Sequence, residues 1–231
     1  MALPQPRIGV VMYPGSNDDH DALWALAALD AEAIAVWHEE RELPALDAVV
    51  LPGGFSYGDY LRCGAIARFS PATAAVREFA EAGGLVLGIC NGFQILCEAG
   101  MLPGALLQNE SLQFICRDVR LTVERDDLPF TARCAAGQEL TIPVKHGDGR
   151  WFAPAELLAR LEANRQIVVR YAEPCNGSTA GVAGVCNERG NVMGLMPHPE
   201  HAVDPLLGSA DGALILASLV DAARDRAVAL A

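Results

Sequence analysis

The chain is poor in positive charge and has no long apolar run. Its 17 Lys and Arg residues face 29 Asp and Glu residues, which leaves a net charge of −12 over 231 residues. A surface of that sign repels phosphate backbones and anionic lipid headgroups, so we expect neither nucleic acid nor a membrane as a partner. No apolar segment reaches the roughly 20 residues that cross a bilayer, and the first residues do not resemble a targeting peptide.

Paired cysteine motifs are also missing. The seven cysteines are an odd number and form no C-x-x-C pair, so we expect reduced thiols and a cytoplasmic protein. The five histidines are not spaced as ligand pairs with these cysteines, and we therefore expect no metal site. Hydrophobic residues make up 52% of the chain, which is enough for the core of a single domain spanning residues 1–231.

Apolar runs alternate with amphipathic segments, an order typical of a doubly wound, mostly parallel α/β sheet with flanking helices. Two later segments alternate polar and apolar residues and predict a small antiparallel addition. The predicted strands are 7–13, 33–37, 47–51, 85–89, 115–124, 139–144, 167–171, 182–186 and 192–196. The first predicted helix follows an N-cap at Ser16 or Asn17, and the third, at 71–82, is capped by Ser70. The others are an irregular helix at 60–69, a helix directly after Cys90, and helices at 154–161 and 211–227.

The pentapeptide Gly88-Ile89-Cys90-Asn91-Gly92 ends the fourth predicted strand. G-x-C-x-G at a strand-to-helix turn is the cysteine counterpart of a nucleophile elbow. Glycines are expected on both sides because so sharp a turn leaves no room for a Cβ. Cys90 then precedes a helix N-terminus, whose amides and dipole favour the thiolate. The pattern favours a nucleophile over a buried structural cysteine.

A cysteine nucleophile works through a base, and His198 in Met-Pro-His-Pro-Glu directly follows the last predicted strand. We expect the prolines to keep this segment extended, so that His198 and Glu200 point to the same side and the carboxylate orients the imidazole. Cys90 and His198 would then share the crevice at the carboxyl ends of the strands. His146, in a glycine-rich loop, is the rival base.

Gly53 and Gly54 follow the third predicted strand directly. A glycine pair there can turn an amide N–H into the crevice as an oxyanion donor, although an ordinary tight turn is the simpler interpretation of the pair alone. Together with Cys90, His198 and Glu200, the pair predicts acyl transfer through a thioester, with the acyl donor still open.

These residues resemble the class I glutamine amidotransferases, which combine a Cys-His-Glu triad with a flavodoxin-like sheet. Four further stretches narrow the resemblance, over nearly the whole chain, to the short glutaminase subunits of phosphoribosylformylglycinamidine synthase. These stretches are Pro14–Asn17, Pro52–Tyr60, His146–Gly149 and Leu207–Gly212.

The resemblance implies that the chain hydrolyses L-glutamine to glutamate and ammonia. Cys90 would attack the side-chain amide, His198 would carry the proton and Glu200 would orient His198. The backbone amides of Gly54 and Asn91 would form the oxyanion hole. The side chains implied to hold glutamine are Gln94, Asn109, Ser111 and Phe114.

The resemblance also implies partners. Ammonia would pass to a separate synthetase subunit that uses ATP and magnesium to convert formylglycinamide ribonucleotide to formylglycinamidine ribonucleotide in purine biosynthesis. A small third subunit would bridge the two. The chain itself has no P-loop, and we expect no cofactor in it.

Three other functions remain as alternatives: a glutaminase subunit for a different synthetase, a non-catalytic subunit of the same fold, and another cysteine hydrolase. A non-catalytic subunit would need a broken triad, whereas all three residues are present. Hydrolases of the last kind usually carry a histidine directly after the elbow cysteine, where Asn91 stands here.

Four residues depart from the resembled pattern. Asp18 stands where cysteine is expected, Lys145 where a small residue is more typical, and His201 where arginine is usual. Gln108 stands where a basic residue is common. None of them belongs to the triad, which leaves Lys145 and His201 as candidates for a changed partner interface or, for His201, a second histidine near the site.

Overall fold

Residues 5–230, which the computed structural model describes, form a nine-stranded sheet with helices packed against it and a separate two-stranded sheet. The strands and α-helices in chain order are β1 (Arg7–Met12), α1 (Asp19–Ala28), β2 (Glu32–Trp37), β3 (Ala48–Leu51), α2 (Pro71–Glu81), β4 (Leu85–Ile89), α3 (Asn91–Glu98), β5 (Ala105–Leu107), β6 (Ile115–Val123), β7 (Glu139–His146), β8 (Arg150–Phe152), α4 (Ala155–Ala163), β9 (Ile167–Tyr171), β10 (Val182–Cys186), β11 (Val192–Leu195) and α5 (Gly212–Leu230).

The order of strands in the large sheet is β2-β1-β3-β4-β11-β10-β9-β6-β7. The first five of these strands are parallel, and the last four continue the sheet in antiparallel fashion. The expected α/β fold with its parallel sheet is therefore confirmed. Its antiparallel part is larger than the small addition predicted, because β10 and β9 join β6 and β7 in one continuous sheet.

The burial of the strands follows from what covers them. Every residue of β3 and β4 is buried, as expected for parallel strands with helices packed on the sheet. Helices α1 and α5 contact each other and β1, whereas α2 and α3 contact β4. Along β7, fully buried residues alternate with more exposed ones, because one face of this antiparallel part is more open to solvent.

Strands β3, β4 and β11 lie side by side at the centre of the sheet. Leu51 of β3 pairs with Gly88 of β4, and Ile89 of β4 pairs with Leu195 of β11. Since the three strands are parallel and in step, the loops that follow them open at the same edge of the sheet. These loops carry Gly53 and Gly54, Cys90, and His198.

Two local predictions were wrong. The segment 60–69 is not a helix: it contains only a short 3₁₀ turn at Ala67–Phe69 and follows another at Ser56–Asp59. Leu61 has a positive φ of 71°, which a helix does not accommodate. The turn before it is held by the Ser56 amide, which donates to the side-chain oxygen of Asn91 at 3.2 Å. A long-range contact therefore outweighs local propensity.

The N-cap of α1 also differs from the prediction. Asp18 occupies the cap position and its side chain caps nothing. Ser16 instead accepts a hydrogen bond from the Tyr13 amide at 3.2 Å, within its own turn. By contrast, the cap of α2 is confirmed, because the Ser70 hydroxyl accepts from the Thr73 amide. Within residues 5–230, no helix combines the length and apolarity needed to span a bilayer.

Candidate active site

Cys90 stands at the sharp turn between β4 and α3, with φ 48° and ψ −103°. A Cβ on Gly88 would lie 2.5 Å from Cδ1 of Leu96, and one on Gly92 would overlap the carbonyl oxygen of Leu51. The two glycines of the pentapeptide are thus required by close packing on both sides of the cysteine. The strained elbow predicted from the sequence is present.

The Cys90 residue is only 5% exposed, and its position is fixed by its backbone. Its amide donates to the carbonyl of Leu195 at 2.8 Å, which ties the elbow to the neighbouring strand. The Sγ atom lies 3.9 Å from the carbonyl oxygen of Lys145, at the end of β7. Because Cys90 directly precedes α3, it lies at the positive end of that helix dipole.

His198 and Glu200 form a buried pair beside the elbow. Nδ1 of His198 lies 2.6 Å from Oε1 of Glu200, and both side chains are almost fully excluded from solvent. Burial alone would lower the pKa of His198, but the Glu200 carboxylate and the Cys90 thiolate outweigh it and raise the pKa to about 10. Since Nδ1 of His198 is bonded to Glu200, Nε2 is the ring nitrogen that remains available to Cys90.

The backbone reaches this pairing by a different conformation from the one predicted. Residues Pro199–His201 form a 3₁₀ turn in which Pro199 occupies the first turn of the helix. A proline is tolerated there because the first amides of a helix lack partners in any case. The extended geometry predicted for the segment was therefore wrong, although its consequence, a carboxylate against the imidazole, is present.

Gly53 lies against the same imidazole, and Gly54 packs against the turn after β1. A Cβ on Gly53 would stand 2.7 Å from Cε1 of His198, and Gly54 has a positive φ of 128°. The loop is packed so closely on the turn after β1 that only glycine fits. Asn91, the first residue of α3, has a backbone amide without an intrahelical partner. The structure thus gathers both expected oxyanion donors at the edge of the sheet that carries Cys90.

The side chains of Asn91 and Gln94 form a hydrogen-bonded chain. Asn91 donates to Oε1 of Gln94 at 2.9 Å, and Gln94 donates to the carbonyl of Asp148 at 2.6 Å. Asn91 also lies 3.4 Å from the Asp59 carboxylate. Gln94, expected to hold glutamine, thereby joins the elbow helix to the loop after β7.

Asn109 is fully buried and holds the loop 108–114 in place. Its amide donates to the carbonyls of Gln113 and His146, both at 2.8 Å. Its oxygen accepts from the Gly149 amide at 3.1 Å and faces Nδ1 of His146 at 3.0 Å. These contacts use the full bonding capacity of the side chain, so the structure gives Asn109 a supporting position in this loop.

Ser111 and Phe114 lie further out on the same loop. Phe114 is 55% exposed, and the Ser111 hydroxyl accepts from the Gln113 amide at 3.3 Å. Ser111 lines a cavity of about 410 Å³ together with Tyr171 and Asn176. Burial and the neighbouring Cys175 and Cys90 raise the pKa of Tyr171, so the cavity that Ser111 lines extends close to the elbow.

His146, the rival base, is buried and forms no ion pair with a carboxylate within residues 5–230. Burial and the neighbouring charge of His198 lower its pKa to about 4. Its Nδ1 is engaged with Asn109. Of the two histidines, only His198 combines a carboxylate partner with a position against Cys90.

Three of the residues that depart from the resembled pattern join the site, and His201 is the second histidine expected near it. The Lys145 ammonium contacts the Asp18 carboxylate, and Nε2 of His201 lies 3.4 Å from the same group. Potential metal ligand atoms of Asp18, His198, Glu200 and His201 lie within 4.8 Å of one another. Because each carboxylate already faces a nitrogen, an ion-pair network accounts for the cluster, and we assign no metal to it.

Comparisons with known proteins agree with this geometry. Residues 5–211 match the protein family described as the CobB/CobQ-like glutamine amidotransferase domain. The chain is 58% identical to phosphoribosylformylglycinamidine synthase subunit PurQ of Rubrobacter xylanophilus, over 94% of this chain and 99% of that protein. The protein of the same name from Salinibacter ruber is 57% identical, over 93% of this chain and 96% of its own length.

Solved structures give the same assignment. A chain in the structure of PurLQS from Thermotoga maritima is 46% identical, with a TM-score of 0.88 over 94% of this chain and 99% of that one. A glutamine amidotransferase from the same organism has a TM-score of 0.61 at 18% identity, over 97% of this chain and 99% of that one. At that lower identity the likeness concerns the fold alone.

Proposed function

The chain belongs to the CobB/CobQ-like glutamine amidotransferase family, and from that premise we propose that it is the glutaminase subunit of phosphoribosylformylglycinamidine synthase. It hydrolyses L-glutamine to glutamate and ammonia for the fourth step of purine synthesis. The observation that carries the proposal is the buried His198–Glu200 pair beside Cys90, at the edge where β4 and β11 end together. The names of the relatives identify the synthase.

In the proposed reaction the Cys90 thiolate attacks the side-chain amide carbon of glutamine. The carbonyl oxygen becomes an oxyanion in the tetrahedral intermediate. The imidazolium of His198 then donates its Nε2 proton to the leaving nitrogen, which departs as ammonia and leaves a thioester on Cys90. Water, deprotonated by His198, attacks the thioester and releases glutamate.

Glu200 has the orienting role in this proposal. Its 2.6 Å contact with Nδ1 fixes the ring so that Nε2 faces the thiol, and its charge stabilises the imidazolium. The amides of Gly54 and Asn91 are the proposed oxyanion donors. Support for them comes from the positive φ of Gly54 and from the first position of α3 that Asn91 occupies.

Glutamine itself is proposed to bind beside the loops that Gln94 and Asn109 hold together. Gln94 fixes the Asp148 carbonyl, and Asn109 fixes the loop 108–114 that also carries Ser111 and Phe114. The proposed glutamine-binding residues are Gln94, Asn109, Ser111 and Phe114. The contacts of Gln94 and Asn109 favour a role in shaping the site, and those of Ser111 and Phe114 leave their side chains more accessible.

The partner proteins follow from the proposed function. Ammonia passes to a separate synthetase subunit that uses ATP and magnesium, and a small bridging subunit completes the complex. The chain carries no cofactor of its own in this proposal, acts in the cytoplasm, and forms a single domain over residues 1–231. The sheet that runs without interruption from β2 to β7 supports the single domain.

The test separates glutamine hydrolysis from synthesis in the assembled complex. Cys90→Ala should abolish product formation from glutamine, while added ammonia still supports it. Cys97→Ala is the matched control, because Cys97 lies on the same helix with its thiol against the Pro103 carbonyl at 3.8 Å. This control should retain both activities. Loss of the ammonia-dependent activity in Cys90→Ala would contradict the proposal.

The alternative of a different synthetase is tested with the same preparation. The complex with the proposed partner should convert formylglycinamide ribonucleotide when glutamine and ATP are supplied. If the complex of all three subunits hydrolyses glutamine but forms no formylglycinamidine ribonucleotide, the chain serves another synthetase.

A further inference from the structure

A second carboxylate faces the ring of His198 besides Glu200. Oδ2 of Asp18 lies 3.7 Å from Nδ1 of His198, and the Asp18 side chain is only 4% exposed. A Cβ on Gly53 would stand 2.5 Å from that same oxygen and 2.7 Å from Cε1 of His198. The absence of a side chain at Gly53 therefore leaves Asp18 and the imidazole free to approach each other.

Two nitrogen groups hold Asp18 in this position. The ammonium of Lys145, the one lysine in the sequence, contacts Oδ1. Nε2 of His201 lies 3.4 Å from the same oxygen and 3.5 Å from Oε1 of Glu200, so it bridges the two carboxylates. Although burial opposes the charge, the neighbouring His201, His198 and Lys145 side chains keep the pKa of Asp18 well below its usual range.

The cluster is also linked to the nucleophile. Lys145 contacts Asp18 with its side chain, while its carbonyl oxygen faces Sγ of Cys90 at 3.9 Å. The His201 ring packs edge-on against that of His198, with ring centroids 5.4 Å apart. Asp18 thus lies in contact with groups that touch both members of the Cys–His pair.

We propose that Asp18, held by Lys145 and His201, is a second positioning carboxylate for His198, and that the pH range in which the site works depends on Asp18 and Lys145 being present together. The proposal rests on the glutaminase function given above. The charge of Asp18 favours the imidazolium, whereas the charge of Lys145 opposes it. Because the two charges are adjacent and opposite, they nearly cancel at His198 when both are present.

Other groups that face His198 are unchanged by the variants described next. They are Glu200 and His201 on its own turn, Cys90 before α3, and His146 on β7. The shifts of the pH profile expected for the variants are therefore caused by the loss of Asp18 or Lys145 alone.

The test is the pH profile of glutamate release from L-glutamine by the assembled complex. In Asp18→Asn the unpaired ammonium of Lys145 should make His198 lose its proton at lower pH. The limb of the activity profile that follows this titration should move to lower pH by about one pH unit. In Lys145→Met the unpaired carboxylate should move it to higher pH by a similar amount. The double variant, which removes the neutral pair together, should return close to the wild-type profile.

A purely structural role would give a different pattern. Both single variants would then lose activity without opposite movements of the profile, and the double variant would be at least as impaired as either. Either outcome would overturn the proposal. Asp225→Asn, which removes an exposed carboxylate on α5, is the control for loss of a negative charge and should keep the wild-type profile.

The remaining variants and the wild-type complex cover two further cases. If Asp18→Asn does not fold, the upward movement expected for Lys145→Met and the restored profile of the double variant still decide the matter. The wild-type complex separates this proposal from the function on which it rests. A complex that releases no glutamate contradicts the function, whereas an active complex with unmoved profiles contradicts only the role of Asp18.

Discussion

Asn109 and His146 lie side by side in the interior, with Oδ1 of Asn109 3.0 Å from Nδ1 of His146, although 37 residues separate them in the chain. The same amide donates to the His146 carbonyl at 2.8 Å. The other ring nitrogen, Nε2, is buried and makes no hydrogen bond to the described residues. A second proton on this ring would therefore find no acceptor, in agreement with the lowered pKa of His146.

This relationship predicts an acid-sensitive contribution to stability. The pKa of His146 falls from 6.5 to about 4 on folding, so only the unfolded chain takes up the proton between these values. The contribution of neutral His146 to the free energy of unfolding is therefore complete above pH 6.5, and it is lost as the pH falls toward 4. The free energy of unfolding of the wild type, measured with urea, should drop by up to about 3 kcal/mol more over this range than that of His146→Gln.

The difference between the two proteins isolates His146 from other groups that titrate in the same range. Between pH 7 and 8 the difference in unfolding free energy should be constant, because His146 is neutral in both states there. Parallel curves from pH 7 down to pH 4 would contradict the prediction.

The second prediction concerns the close packing of the elbow helix on β3. In Gly92→Ala the new methyl group would overlap the Leu51 carbonyl, so the helix must move. We expect a loss of about 1–3 kcal/mol in the free energy of unfolding, together with a fall in glutamine-dependent activity. The better helix propensity of alanine offsets at most about 1 kcal/mol of this cost.

Gly147→Ala is the matched control for that variant. A Cβ at Gly147 meets only the Phe114 ring, at 3.8 Å, which is ordinary van der Waals contact. This variant should stay within about 0.5 kcal/mol of the wild type. Equal stability of Gly92→Ala and Gly147→Ala would show that the glycine at the elbow is not required by packing.

The third prediction concerns which thiol reacts with a glutamine-analogue electrophile. Burial and the neighbouring Asp59 and Asp148 carboxylates raise the pKa of Cys63, and burial and Glu98 raise that of Cys97. Both should stay protonated and unlabelled near neutral pH. Mass spectrometry of digested protein should place the label on Cys90.

Exposed Cys116 provides the comparison for this experiment. A general alkylating reagent should modify it, and L-glutamine should protect Cys90 without protecting Cys116. Preferential labelling of Cys63 or Cys97 by the glutamine analogue would argue against Cys90 as the nucleophile.

The sequence was sufficient for those parts of the structure that depend on local chemistry. The apolar runs predicted the parallel strands, because a strand covered by helices needs apolar residues throughout. The two glycines around Cys90 predicted the elbow, since no other residue fits so tight a turn. The segment 60–69 was beyond this reasoning, because its shape depends on contacts with distant residues such as the one between Ser56 and Asn91.

The spacing of His198 and Glu200 also predicted their pairing, although the backbone between them forms a turn instead of an extended segment. Asp18, Lys145 and His201 show what only the tertiary structure decided. Each stands out in the sequence as an isolated departure, and Asp18 and Lys145 are 127 residues apart. Their contact exists because β7, in the antiparallel part of the sheet, and α1 both pack against the turn that follows β11, where the His198 amide donates to the Pro143 carbonyl at 2.9 Å. A pairwise contact between such distant segments leaves no pattern in the local sequence of either residue.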